Sequence, residues 1–394
     1  MATNLINSSF TLTGIALNPD GSLSTSGSNG LSGGTSALAW SAPEGLEDGN
    51  TLTITTDGTY DFGIAPRIAT LGFGQGFLES ANLNTALTDV VDPISSETWQ
   101  YENAATNSRT PNRFVSEVDG IRALHQSHAG YSDGAGFGFL GWDTGSPLAD
   151  GERVFVSSWT KANVSAFAVD SNGDSLLATQ WKSWRFRDEI FFDSSQGYTA
   201  GNSGYWKAWA WRTDTYGDRW LEDDEGDFTN YNEDGSASNV EYISHPTYDN
   251  KWTRADLLMR PYIDANGFVR TRMQKPVDTS SVVIKTVNDF QLLDSAHPRR
   301  WQTIQDQTYI KDIEDLDLYI TDYYIQVGSY ARFELADGAT PATSTDSKIL
   351  PPETASWSNN SATVHLYKQM FSDYSGKYLH YYDIDDNFVT GVAL

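Results

Sequence analysis

The placement of tryptophan constrains this chain more than any other feature. Six of its thirteen tryptophans fall between Trp181 and Trp220, interleaved with Lys182, Arg185, Arg187, Lys207, Arg212 and Arg219. Inside that stretch the residues alternate. Tyr205, Lys207, Trp209 and Trp211 share one parity, and Trp206, Ala208, Ala210 and Arg212 share the other. A period of two with bulky rings is the pattern of a β-strand. A strand with large aromatics on one face is either the core of a sandwich or a binding platform.

The rest of the chain extends that reading. Strand-like runs recur at Thr51–Thr56, Arg153–Trp159, Ser175–Phe186, Trp252–Arg260, Phe268–Met273, Trp301–Ile310 and Leu316–Glu334. Turn signals separate several of them, such as Asp170-Ser171-Asn172-Gly173-Asp174 and Asp264-Ala265-Asn266-Gly267. Long Leu/Ala/Glu/Lys runs are scarce, so the expected class is all-β, a sandwich or barrel.

Composition divides the chain. Residues 1–95 hold one basic residue, Arg67, against nine acidic ones, with a Gly/Ser/Thr-rich run from Ser22 to Ser36 that reads as a flexible arm. Residues 96–335 carry the main series of strands. A boundary is expected near Ala336–Pro341, and residues 336–394 read as a small β-sandwich whose last hairpin turn is Asp383–Asn387. The acidic, aperiodic run Asp214–Asn239 reads as a surface insertion.

The formal net charge is −26, which argues against nucleic acid as a partner. With no cysteine, disulfides and thiolate chemistry are excluded. No run of eighteen apolar residues appears, so no membrane-spanning helix is expected. The start, Met1-Ala2-Thr3-Asn4-Leu5, lacks a basic segment and an apolar segment, so no secretory leader is expected.

The middle region resembles concanavalin A-like jelly-roll modules, the lectin and glucanase group, on Trp252–Leu257 and Leu316–Ile325. The tail is similar to an immunoglobulin-like IPT/TIG module on Tyr330–Asp337, Trp357-Ser358 and Gly376–Leu379, and Asp48–Ile54 has the same character. Together these resemble the architecture of structural proteins of marine bacteriophages. The resemblance implies a jelly-roll β-sandwich flanked by smaller immunoglobulin-like β-sandwich regions.

Candidate chemistry follows. Tyr205, Lys207, Trp209, Trp211, Trp252, Arg254, Asp256, Arg270 and Arg272 make a ligand platform if their strands share one sheet. Rings stack on sugar faces, and Arg and Asp fork to hydroxyls or carboxylates. On Trp252–Arg260 the residues Thr253, Ala255, Leu257 and Met259 form an apolar face, leaving Arg254 and Asp256 on a solvated one. The alternative is that the tryptophans are core and the arginines an ordinary wet face or subunit interface.

A polysaccharide lyase needs a Tyr or His base beside a group that neutralises a uronate carboxylate, and Tyr205, His245 and Arg254 are of those types. The Glu-x-Asp-x-x-Glu signature of a two-carboxylate glucanase is absent, and Glu222–Glu225 reads as a solvated charge run. Asp170-x-Asn172-x-Asp174 and Asp383-x-Asp385-x-Asn387 offer alternating oxygens, as a calcium loop does, but lack the later Glu, so both read first as β-turns and no cofactor is expected. His125 and His128 would share one side of a helix, though nearby glycines favour a loop, and no third zinc ligand is evident. No Ser/His/Asp order can be read.

The sequence points first to a non-enzymatic virion structural protein of a bacteriophage, exposed on capsid or tail and adhering to glycans. Its expected partners are other virion subunits and copies of itself, a trimer being plausible, without nucleic acid or membrane. The rival is a polysaccharide lyase or carbohydrate-binding protein of the concanavalin A-like group.

Overall fold

The computed structural model describes residues 10–12, 31–35, 37–64, 66–72, 83, 88–102, 114–129, 139–167, 180–187, 206–212, 219–223, 250–260, 267–274, 283–290, 301–311, 313–368 and 371–394. Among them every regular element is a β-strand, and every pairing is antiparallel. Tyr205, His245 and Asp170–Asp174 lie outside the described residues.

Two large sheets form the main body. The seven-stranded sheet runs β14 (Arg219–Asp223), β13 (Trp206–Arg212), β12 (Gln180–Arg187), β18 (Thr303–Lys311), β10 (Phe139–Asp143), β7 (Thr98–Glu102), β6 (Val90–Val91). The eight-stranded sheet runs β17 (Val283–Phe290), β16 (Gly267–Gln274), β15 (Thr253–Arg260), β11 (Val154–Phe167), β19 (Ile313–Val327), β9 (Ile121–Ala129), β8 (Phe114–Val118), with β5 (Arg67–Leu71) also on β19.

Their facing sides hold the aromatic filling. Tyr323 of β19 meets Trp99 of β7 and Trp184 of β12 edge-on, each at 5.8 Å between ring centroids. Its hydroxyl donates to Asp306 of β18. Trp142, Phe186, Trp301 and Ile304 are buried on the same side. Each such ring stabilises the fold by roughly 2–3 kcal/mol through burial, which is why so many tryptophans gather where the two sheets meet.

A bulge in β19 switches its neighbours. Ser157 pairs with Tyr324 and Trp159 with Thr321, so β19 spends three residues where β11 spends two. Asp322 takes up the extra residue at φ 51°. Before it, β19 pairs with β9 up to Ile320; after it, with β5 from Tyr323.

The two ends of the chain build one small sandwich between them, where the sequence suggested separate N- and C-terminal regions. One sheet runs β1 (Phe10–Leu12), β2 (Leu31–Gly34), β3 (Ala39–Ala42), β4 (Thr51–Thr55), β23 (Ser361–His365), β22 (Pro352–Ser358). Here Leu52 pairs with Val364 across some three hundred residues of chain. The facing sheet runs β21 (Ser347–Ile349), β20 (Arg332–Ala336), β24 (Tyr378–Tyr382), β25 (Phe388–Ala393). Leu38, Trp40, Leu52, Ile54 and Val364 pack there against Phe333, Leu335, Leu379 and Tyr381. The tail therefore shares its core with the N-terminal strands, and β20, which ends at Ala336, is already part of this sandwich. Part of the Ser22–Ser36 arm is strand β2, and part of the Asp214–Asn239 run is strand β14.

The small sandwich sits on the outer face of the eight-stranded sheet. Ile68, Phe155, Leu258 and Tyr324 of that sheet pack with Ile349 and Tyr367 from the chain's end.

Candidate functional site

The residues of the expected platform do not share a sheet. Lys207, Trp209 and Trp211 are on β13 of the seven-stranded sheet, whereas Arg254, Asp256, Arg270 and Arg272 are on β15 and β16 of the eight-stranded one. Lys207 and Trp209 are register partners of Phe186 and Trp184, both buried in the core. Arg270 pairs with Leu258, and Arg272 with Asp256. Trp252 precedes β15 and is buried in a cluster with Trp159, Ile121 and Ala123.

Arg254 is not on a solvated face. It is fully buried, and its guanidinium is spent on the joint between the two sandwiches. Nε donates to Asp256 Oδ1 at 2.9 Å, Nη2 to Glu334 Oε1 at 2.7 Å, and Nη1 to Glu334 Oε2 at 2.9 Å and to Ser347 Oγ at 2.9 Å. Burial pulls its pKa down, but the carboxylates of Asp256 and Glu334 outweigh that and hold it well above the usual value. The alternation of β15 was read correctly as apolar against polar. What covers the polar side comes from residues some eighty and more positions later, and no local pattern encodes it.

The joint continues through Arg332. Its Nε donates to Glu334 Oε1 at 2.9 Å and its Nη1 to Asp386, while the guanidinium lies over the rings of Phe155 at 4.1 Å and Tyr382 at 4.4 Å. Lys348 Nζ meets Asp322 Oδ2 at 2.9 Å, so the bulge of β19 is also tied to β21. Beside Lys348, burial pushes the Asp346 carboxyl up to about 6. The Asp383–Asn387 segment is a turn, as expected. Asp383 Oδ1 accepts from the backbone N–H of Asp385 at 2.9 Å and of Asn387 at 2.8 Å, and Asp385 pairs with Arg153 at 2.8 Å. No group of three or more His, Asp or Glu suited to a metal ion occurs among the described residues.

The outer face of the seven-stranded sheet differs. The registers line up one residue from each of six strands: Gln100, Gly141, Gln305, Arg185, Ala208 and Glu222. Gln305 lies between Ile304 and Asp306, which face the core, so its side chain is on the opposite side. That side chain has 0% exposure, yet neither its Nε2 nor its Oε1 has a hydrogen-bond partner. Gln100 Oε1 is unpartnered as well. Gly141 stands between the two glutamines without a side chain. A buried carboxamide with nothing to bond costs about 1–3 kcal/mol per unmatched group. Sequence reading missed Gln100 and Gln305, because a lone Gln in a strand carries no motif. The signal was the opposite parity of the tryptophan-rich stretch.

No protein-family model matches the chain, and no curated protein matches it. Similar solved structures include a marine alginate lyase from Aplysia kurodai, at 12% identity and TM-score 0.38, covering 65% of this chain and 97% of that one. An endo-β-1,4-glucuronan lyase from the fungus Trichoderma reesei shows 10% identity and TM-score 0.35, covering 65% and 94%. Lectin II from Ulex europaeus shows 10% identity and TM-score 0.33, covering 63% and 100%. The structural neighbours are thus lectins and polysaccharide lyases of the concanavalin A-like, jelly-roll type.

Proposed function

We propose that the protein binds a polysaccharide along the outer face of the seven-stranded sheet, and that the sugar is acidic. The observation that carries this is the buried, unpartnered carboxamide of Gln305. A sugar hydroxyl both donates and accepts, so hydroxyls that displace what covers Gln305 in the free chain satisfy Nε2 and Oε1 together. The row crosses six strands, roughly 24 Å at the usual strand spacing, which suits a chain more than a single sugar. On the register positions that share Gln305's parity, strands β12 to β14 hold four basic residues, Lys182, Arg185, Arg187 and Arg212, against one acidic, Glu222, a local positive island in a chain of charge −26. Such an island favours carboxylate- or sulfate-bearing glycans.

Binding without cleavage is the main reading. The lyase reading asks for an Arg, Asn or Gln to neutralise a uronate, and Arg254, the arginine named for it, is committed to Asp256 and Glu334. The glycan reading takes the place of the virion one.

Calorimetric titration with hexamannuronate and with cellohexaose tests the proposal. Hexamannuronate binds, and binding weakens as salt rises. Failure of the acidic hexamer to bind, or equal binding of the neutral one, overturns it.

A further inference from the structure

Three strands of the eight-stranded sheet bring together a serine, a histidine and an aspartate that no sequence pattern joins. On β9, His125 is the register partner of Phe114 on β8 and of Tyr319 on β19. It belongs to a strand, not to the helix or loop its spacing with His128 suggested. Its ring stacks on Tyr319 at 4.3 Å between centroids and 11° between planes, which holds it upright on the sheet. The two diagonal neighbours then meet its nitrogens. Nε2 lies 3.1 Å from Asp317 Oδ1, and Nδ1 lies 3.3 Å from Ser116 Oγ. An ionised carboxylate only accepts, so in the neutral ring Nε2 carries the proton and Nδ1 is left to accept from the serine hydroxyl. The imidazole is partly open to solvent and Asp317 more so.

We propose that Ser116, His125 and Asp317 form an acyl-transfer centre acting on small acyl esters. The arrangement meets the two geometric requirements of such a centre, nucleophile against base and base against an orienting carboxylate, and these recur on unrelated folds. His125 Nδ1 takes the proton of Ser116 as its Oγ bonds to the ester carbonyl carbon. The carbon–oxygen bond to the alcohol then breaks, and the alcohol leaves with that proton. Water, deprotonated by the same nitrogen, attacks the acyl-serine and releases the carboxylic acid, restoring Ser116. Among the described residues β8 is the last strand in its sheet, and the alternate N–H groups that point away from β9 are the donors the proposal assigns to the oxyanion. Asp317 and Tyr319 are positioning residues. The inference is independent of the glycan-binding reading.

The test is reaction of the full chain with a fluorophosphonate probe, with the modified residue located by peptide mass spectrometry, alongside hydrolysis of p-nitrophenyl acetate. The probe modifies Ser116, and its rate falls at least ~100-fold in His125→Gln, with a smaller fall in Asp317→Asn. Ester hydrolysis is lost in Ser116→Ala. Circular dichroism confirms that each variant is folded, and Asp317→Asn, at an exposed position, serves if His125→Gln is not. An unmodified Ser116, modification of a different serine, or an unchanged rate in a folded His125→Gln or Asp317→Asn overturns the proposal.

Discussion

The outer faces of the two large sheets both carry buried polar residues, and those at Arg254 and Gln305 stand in opposite states. On the eight-stranded sheet the polar residues are closed off by the small sandwich. There Arg254 has Asp256, Glu334 and Ser347 around its guanidinium, and Arg332 has Glu334, Asp386 and two aromatic rings. On the seven-stranded sheet Gln305 is just as buried and has no partner. Burial alone therefore does not separate a structural polar residue from a functional one. A satisfied buried charge holds two sandwiches together, and an unsatisfied buried amide is a standing cost, which under the proposed reading a ligand relieves at Gln305.

The largest effect that can break this comparison lies at Arg254. Removing the guanidinium in Arg254→Ala takes the shared cation from two buried carboxylates, Asp256 and Glu334, so stability falls by about 3–5 kcal/mol, or roughly 5 °C in Tm for a chain of this length. Arg254→Lys keeps the charge but not the fork and falls between the two. Denaturant and thermal unfolding measure both, and a loss below about 1 kcal/mol in Arg254→Ala would place Arg254 among ordinary surface ions.

Asp346 gives a mid-sized effect with a definite sign. The folded protein holds its proton up to about pH 6, whereas a free aspartate releases it near 3.8. Between those values the native state binds more protons than the unfolded one, so this group lowers stability as pH rises through the window, and the cost stays constant above it. Asp346→Asn removes that cost. It gains on the order of 2 kcal/mol at pH 7–8 and leaves stability unchanged near pH 3. Urea midpoints across pH read this directly, and a gain that is larger at pH 3 contradicts it.

Much of the fold was legible in the sequence. The period-two stretches gave β15 over Thr253–Arg260 and β13 over Trp206–Arg212, and Asp383–Asn387 is the hairpin turn between β24 and β25. Which sheet each strand joins was not legible, because pairing is non-local. Nothing near Leu52 announces Val364, and nothing near Arg254 announces Glu334. The same limit hid both candidate sites. Gln100 and Gln305 align only through the register of β10, and Ser116, His125 and Asp317 meet only when β8, β9 and β19 lie side by side.

The most direct measurement is made on Gln305→Leu, which replaces the unmatched carboxamide by an apolar group of similar length, with stability and hexamannuronate affinity determined on the same sample. Stability stays within about 1 kcal/mol of the parent or rises, while affinity falls at least ~tenfold. A destabilisation like that of Arg254→Ala, or unchanged affinity for the hexamer, would contradict the account.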